Sequence, residues 1–311
     1  MQILHIRKKR KGEFRTIYSP NDAEKAEFRA LLPELQAIAA RECGACVHGF
    51  MPCRSPVTNA LAHKGLRFTL GFDLSDFFDT VSETHLHGKI PADLLTKVLI
   101  GGAPRQGLPT SPTVANIAAT GLDYSVQAWI AASGHEIVYT RYADDLAFSF
   151  AHWHVYEQLR AAIPPLIEEA GFALNAKKTR LQDANFGRRV ITGVSVGYFN
   201  VAAPREIRRK MRAAEHAGKK SALRGLTEWA KMRLPYKPVE HTVRVLRAIW
   251  QVQRGKMAVT NYPAMRQWDH ELVAVAKIKD RDGIASYIRH GLRGKFDRDT
   301  IKHTDALVRS L

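Results

Sequence analysis

The stretch IVYTRYADDLAFSF, residues 137–150, sets two adjacent acids, Asp144 and Asp145, between two runs of alternating apolar residues. Alternation with a period of two marks strands, so IVYTRY and LAFSF read as a hairpin joined by the tight Ala143-Asp144-Asp145 turn. Side by side, two carboxylates repel, and no turn requires such a pair. Alone, the dipeptide reads as a solvated hairpin tip. A third acid brought to the same place would change that reading.

Outward from the hairpin, LRFTLGFDL (66–74) has the length and β-forming content of a buried strand, with Asp73 at its end. SPTVANIAATGLDYSVQAWIAA (111–132) reads as a helix with Ser111 at the N-cap and Pro112 at its first position. WHVYEQLRAAIPPLIEEAGF (153–172) reads as a helix kinked or broken at Pro164-Pro165. RRVITGVSVG (188–197) is a further short strand pair. The resulting order, β-α-β-β-α-β, is the split βαβ or ferredoxin-like pattern.

Upstream, residues 1–20 read as a hairpin with RKKRKG as its turn, and residues 21–42 carry Ala26, Leu31, Leu35 and Ile38 at helical spacing. A loop follows (CGACVHGFMPCRSP), and after Asn200 the pattern turns helical and basic.

In a βαββαβ sheet the hairpin tip and the end of the first strand share one edge. Asp73, Asp144 and Asp145 can therefore converge across about seventy residues of chain. Three acids within a few Å are unfavourable alone but favourable as ligands of hard divalent cations. Mg²⁺ is typically held by one or two carboxylates plus substrate phosphates. Two such ions, about 3.5–4 Å apart, serve an in-line phosphoryl displacement.

Composition fits such a partner. The 311 residues are 45% hydrophobic and 25% charged, an ordinary globular balance in one elaborate domain or two to three subdomains. The formal net charge is +17, and it is uneven. Residues 1–197 hold 22 basic and 19 acidic side chains, net +3; residues 198–311 hold 25 and 11, net +14. Charge so concentrated attracts polyanions, with phosphate backbones leading. No run of about 18 apolar residues predicts a membrane span, and MQILHIRKKRKGEF lacks the apolar core of a secretory signal. Three cysteines make no disulfide framework and suit a reducing cytoplasm.

Tyr142-Ala143-Asp144-Asp145 resembles the YxDD signature of reverse transcriptases, and other blocks of that family occur in order. FDLSDFF (72–78), RQGLPTSPTVANI (105–117), GFALNAKKT (171–179) and VITGVSVG (190–197) resemble successive palm motifs. Asn59-Ala60-Leu61-Ala62-His63 resembles the NAxxH block of the retron type, Val190-Ile191-Thr192-Gly193 its VTG block, and LRAIWQVQRGKMAVTNYP (246–263) its thumb helix around an Arg-Gly pair.

The resemblance implies an α+β right-hand polymerase fold. Fingers would lie in residues 1–66 with part of 80–110, a palm in 67–200 and a basic helical thumb in 201–311. It implies Asp73, Asp144 and Asp145 as catalytic metal ligands, with the Leu74 carbonyl as a helper, for two Mg²⁺ ions that Mn²⁺ can replace. Phe78 would exclude a 2′-hydroxyl, Gln106 and Gly107 would face the templating pair, Arg15 would grip the triphosphate, and Lys178 would stand near the leaving pyrophosphate. Asn59, His63 and Arg254 would contact RNA.

The activity implied is RNA-directed DNA synthesis from dNTPs on a dedicated structured non-coding RNA. An RNA–DNA hybrid forms on the way to msDNA, with a priming 2′-hydroxyl and a branched product, in anti-phage defence beside a separately encoded effector. Alternatives are another standalone defence-associated or group II-like reverse transcriptase, and a non-catalytic RNA-binding relic. Cys43, Cys46, His48 and Cys53 read as an ordinary loop rather than a zinc site, His85 and His87 as a polar helix start, Asp76 and Asp79 as a cap and a surface acid, and Arg141 as an outward-facing strand residue.

Overall fold

The computed structural model describes residues 1–7 and 14–233. The chain divides after Ala230, and the elements that follow lie before that division. Strands β1 (Gln2–Arg7) and β2 (Phe14–Ser19) pair antiparallel with Ile6 opposite Arg15. Most of the expected RKKRKG turn lies outside the described residues. The helical stretch after Pro20 is two helices, Asp22–Ala30 and Leu32–Glu42. Asn21 and Glu24 form a reciprocal capping box at the start of the first. Pro33, which cannot donate a backbone hydrogen bond, sits in the first turn of the second, where that loss costs nothing.

The central sheet is built from β3 (Phe68–Asp73), β4 (Ile137–Tyr142), β5 (Asp145–Phe150) and β6 (Arg180–Asp183), in the spatial order β4-β5-β3-β6 and antiparallel throughout. The βαββαβ order holds, but its last strand is Arg180–Asp183 and not the expected pair within 188–197, which belongs to a separate sheet. Phe68, Leu70 and Phe72 alternate onto one face of β3. Phe68 stacks on Phe150 at 5.5 Å between ring centres, and Phe72 meets Phe148 edge-on at 5.8 Å.

The helix after the hairpin runs from His154 to Glu169 through Pro164 and Pro165, so the prolines do not break it. Its buried residues Val155, Leu159, Ile163 and Ile167 recur every fourth position, and this one stripe holds both halves to the core. The helix expected over 111–132 is two, Ser111–Ala118 and Thr120–Ser133. Thr110 takes the N-cap position expected for Ser111, which lies one place inside, and neither is capped through a side chain.

A second sheet joins β7 (Arg189–Ile191), β8 (Val194–Val196) and β9 (Val201–Ala202), so one short strand precedes the helical, basic segment. That segment continues as the helices Arg205–His216 and Lys220–Ala230. Among the described residues no helix is long and apolar enough to cross a membrane.

The β1–β2 hairpin is seated against the loop before Ser111. The Tyr18 amide donates to the Gln106 carbonyl at 2.8 Å. Gly107, at φ 107°, lies so close that a Cβ there would stand 2.2 Å from the Tyr18 carbonyl oxygen. Only glycine fits this contact.

Candidate active site

Asp73 is the last residue of β3 and stands directly opposite Asp145, the first residue of β5. Opposed residues of antiparallel strands lie about 4.5–5.5 Å apart at Cα. The Leu74 amide donates to the Asp144 carbonyl at 3.0 Å, extending the ladder past the strand end. Tyr142 pairs with Asp145, so the turn proper is Ala143-Asp144, with Ala143 at φ 56°. The three acids named from sequence thus share one end of the sheet.

The chain after the His154–Glu169 helix returns to the same place. Ser75 donates to Ala173 at 2.7 Å and Asn175 to the Asp73 carbonyl at 2.8 Å. A short 3₁₀ turn, Ala176–Lys178, then delivers the Lys178 ammonium to Asp73 Oδ2 at 2.8 Å. Of the two adjacent lysines it is Lys178 that meets the acids, and hydrogen bonding to Asp73 raises its pKa.

Asp73 is buried, and its other oxygen, Oδ1, has no hydrogen-bond partner. A buried, unpaired carboxylate oxygen is costly. Crowding by the surrounding chain raises Asp144, opposed by a backbone hydrogen bond and reinforced by the charge of Asp73. Asp145 is pushed up to about 6, first by crowding and then by Asp144 and Asp73. Asp145 is nonetheless exposed, so solvent screens much of the associated free energy.

The orphaned oxygen and the raised carboxyls fit a cluster whose acids would be relieved by a hard cation. Among the described residues no three His, Cys, Asp or Glu side chains are already gathered into a ligand cage. The residue types fit a hard divalent ion, and the oxygens would have to turn toward it.

Arg15 is exposed on β2, and its charge is felt at Asp144. Phe78 is half-buried behind buried Phe77, with ring centres 5.7 Å apart. Phe50, which the sequence did not single out, bridges Phe78 at 6.5 Å and Tyr142 at 6.4 Å. Its position in an aperiodic loop carried no signal. The close approach allowed by Gly107 is to Tyr18 of the β1–β2 hairpin, and the Gln106 carbonyl is taken by the same residue.

Two expected RNA contacts are corrected. His63 is fully buried, with Nε2 at 2.7 Å from Thr140 Oγ1 and Nδ1 at 2.8 Å from Ser149 Oγ. Asn59 is buried and donates to Thr192 Oγ1 at 3.3 Å. Both side chains bind the NAxxH block to the sheets and leave no face for a polyanion. Arg254 lies outside the described residues. Cys43, Cys46 and Cys53 are free thiols. His85 accepts the Ser82 amide as a helix start, and Asp79 pairs with Arg105 at 2.9 Å.

Arg141 does not face outward. It is fully buried and forms a forked pair with buried Asp123, Nη2 to Oδ2 at 2.7 Å and Nε to Oδ1 at 2.9 Å. Nη1 donates to Asn116 Oδ1 at 3.0 Å and to the Ala143 carbonyl at 3.3 Å. Asn116 in turn donates to the Gly49 carbonyl at 2.7 Å, and Tyr139 to Asp123 at 2.7 Å.

The sequence profile of the reverse transcriptase (RNA-dependent DNA polymerase) family matches residues 6–187. The retron Mx65 reverse transcriptase of Myxococcus xanthus is 32% identical over 262 residues, covering 73% of this chain and 60% of that protein. The retron Ec86 reverse transcriptase of Escherichia coli is 30% identical over 243 residues, 73% of each chain. The chain thus spans about three fifths of the Mx65 relative's length. A solved telomerase from Candida albicans, in complex with a telomeric RNA fragment, shares the fold at a TM-score of 0.50 and 12% identity, over 99% of this chain and 62% of that one. With the acids gathered at one sheet end and the profile matched along most of the described residues, the chain belongs to the reverse transcriptase family, among its retron-type members.

Proposed function

We propose that the chain is an RNA-directed DNA polymerase that copies a dedicated structured RNA into single-stranded DNA. The observation that carries this reading is the register of β3 on β5, which sets Asp73 opposite Asp145 with Asp144 bonded to Leu74 beside them. Residues 1–66 with part of 80–110 then act as fingers, 67–200 as palm and 201–311 as thumb.

Asp73, Asp144 and Asp145, with the Leu74 carbonyl, would hold two Mg²⁺ ions, replaceable by Mn²⁺. The bound ions would lower the charge barrier to attack of a primer hydroxyl on the nucleotide α-phosphate. Around them the chain's own groups do the rest. Arg15 draws the triphosphate with a planar fork of donors. Lys178, already protonated and poised on Asp73, protonates the departing pyrophosphate. Phe78, backed by Phe77, closes the space a 2′-hydroxyl would need.

The template is a structured non-coding RNA recognised by shape, the hybrid leaves over the basic thumb, and the product is msDNA, branched where a 2′-hydroxyl primes it. We assign the system to cytoplasmic anti-phage defence with a separately encoded effector.

Primer extension on an RNA template with dNTPs and Mg²⁺ tests the polymerase. The wild-type chain should extend, and Asp144→Ala should lose roughly a thousandfold or more, since each tenfold is about 1.4 kcal/mol of barrier. Inactivity on every template, or extension by Asp144→Ala, would return the chain to an RNA-binding role. Sequencing of copurified nucleic acid tests the retron reading through a short covalent RNA–DNA species.

A further inference from the structure

Bringing a guanidinium fully out of water costs several kcal/mol unless every donor is met. Arg141 meets that condition where it touches the tip that carries the acids. Its fork grips Asp123 on the Thr120–Ser133 helix. Nη1 reaches Asn116 on the Ser111–Ala118 helix and the carbonyl of Ala143 in the turn itself.

The same tip is clasped from the other side. The Arg141 amide donates to Cys46 and its carbonyl accepts from His48, both at 2.8 Å. The following Gly49 packs so tightly that a Cβ there would stand 2.5 Å from the Ala143 nitrogen. Asn116 closes the circuit by donating to the Gly49 carbonyl. Ala143 sits at φ 56°, a conformation that costs an L-residue about 1–2 kcal/mol and persists only where the surroundings impose it.

We infer that Arg141, Asp123 and Asn116 are positioning residues for polymerisation: the network holds Ala143 in its left-handed conformation, which aims Asp144 across the sheet end at Asp73. The inference rests on the reading of the acids as the polymerase centre. A structural ion pair with no such duty would stabilise the whole unit without singling out the turn.

The test uses the full chain in two variants, Arg141→Lys, which keeps the charge and loses the fork, and Asn116→Ala, which leaves the ion pair intact. Steady-state primer extension should show kcat reduced about 10–100-fold with the KM for dNTP within about threefold, because misplacement of about 1 Å costs that order. Hydrogen–deuterium exchange without added metal should accelerate about tenfold or more in peptides covering 141–147, with β6 unchanged.

Wild-type kcat and wild-type exchange at the turn in both variants would overturn the inference. So would exchange raised evenly across Met1–Ala230, or failure of both variants to fold. Failure of the polymerase reading is a separate result, seen as undiminished extension by Asp144→Ala. In that case exchange alone decides whether the network holds the turn.

Discussion

The tip at Ala143-Asp144 and the tip at Thr192-Gly193 both close a hairpin on two residues, and both put a residue bearing a side chain in the left-handed region. Ala143 lies at φ 56° and Thr192 at φ 46°. They are held differently. The first is locked by a buried ion pair, an asparagine bridge and a glycine pressed against its backbone. The second is tied at its tip by the Thr192 hydroxyl, which accepts from Asn59 and donates to the Pro56 carbonyl, each at 3.3 Å. Gly193, at φ 75°, takes the other left-handed position without strain. The tip that carries acids is fixed by charge and exclusion, and the tip that carries none by neutral hydrogen bonds. Under the proposed function, the heavier support falls where the placement of a carboxylate would decide the chemistry.

The widest separation between the two should come from Gly49→Ala. Its methyl group meets backbone, not a yielding side chain, so the turn must shift. Overpacking of this kind costs about 1–3 kcal/mol, and primer extension should fall about tenfold or more beyond any effect of unfolding. Wild-type extension would show that the first tip tolerates displacement.

Acid should act next, through His63. Burial first, then the charge of Arg189, depresses its pKa to about 3 from an ordinary 6.5. The unfolded chain therefore binds more protons between those values, so stability rises with pH through the window and is lost as pH falls below about 6.5. The slope is about 1.4 kcal/mol per pH unit. Denaturant melts at pH 6.5 and pH 5 should differ by about 2 kcal/mol from this residue, and His63→Gln should remove that share while leaving that of His48, which burial also depresses to about 3. Because Arg189, at the start of the second hairpin, donates to the His63 carbonyl at 2.7 Å, exchange should rise there early.

Asn59→Ala removes one hydrogen bond to the second tip and should cost about 1 kcal/mol with polymerisation on a generic template unchanged. A large loss of extension would mean that this tip, too, governs catalysis. Smallest of all is Ala143→Gly. Relief of about 1–2 kcal/mol of left-handed strain is offset by about 0.5–1 kcal/mol of glycine entropy, leaving a gain of roughly 0.5–1 kcal/mol in stability.

The first strand, the hairpin and the convergence of Asp73 on its tip were legible because period-two alternation and chain order together restrict how such strands can pair, whereas Arg180–Asp183, four residues with three polar or charged side chains, gave no alternation to mark the fourth strand. Arg141 was misread for a physical reason. Alternation assumes one solvated face, yet Thr140 and Arg141 are both buried, because the Cys46–His48 segment pairs with β4 from outside the sheet. Its partner Asp123 is 18 residues away on a helix whose acid looked like any surface charge. Asn59 and His63 were misplaced similarly, since polar residues in a short block give no sign of hydroxyl partners on distant strands. Pro164 and Pro165 were overweighted, because core packing outbid a local preference.

The circuit around Ala143 has a consequence for biosynthesis. Gly49, Asn116, Asp123 and Arg141 all precede Ala143 in the sequence. The residues that grip the acidic tip through this circuit are thus all synthesised before it. Lys178, which partners Asp73, is translated only afterwards. Until then Asp73 lacks the ammonium that meets it in the finished fold.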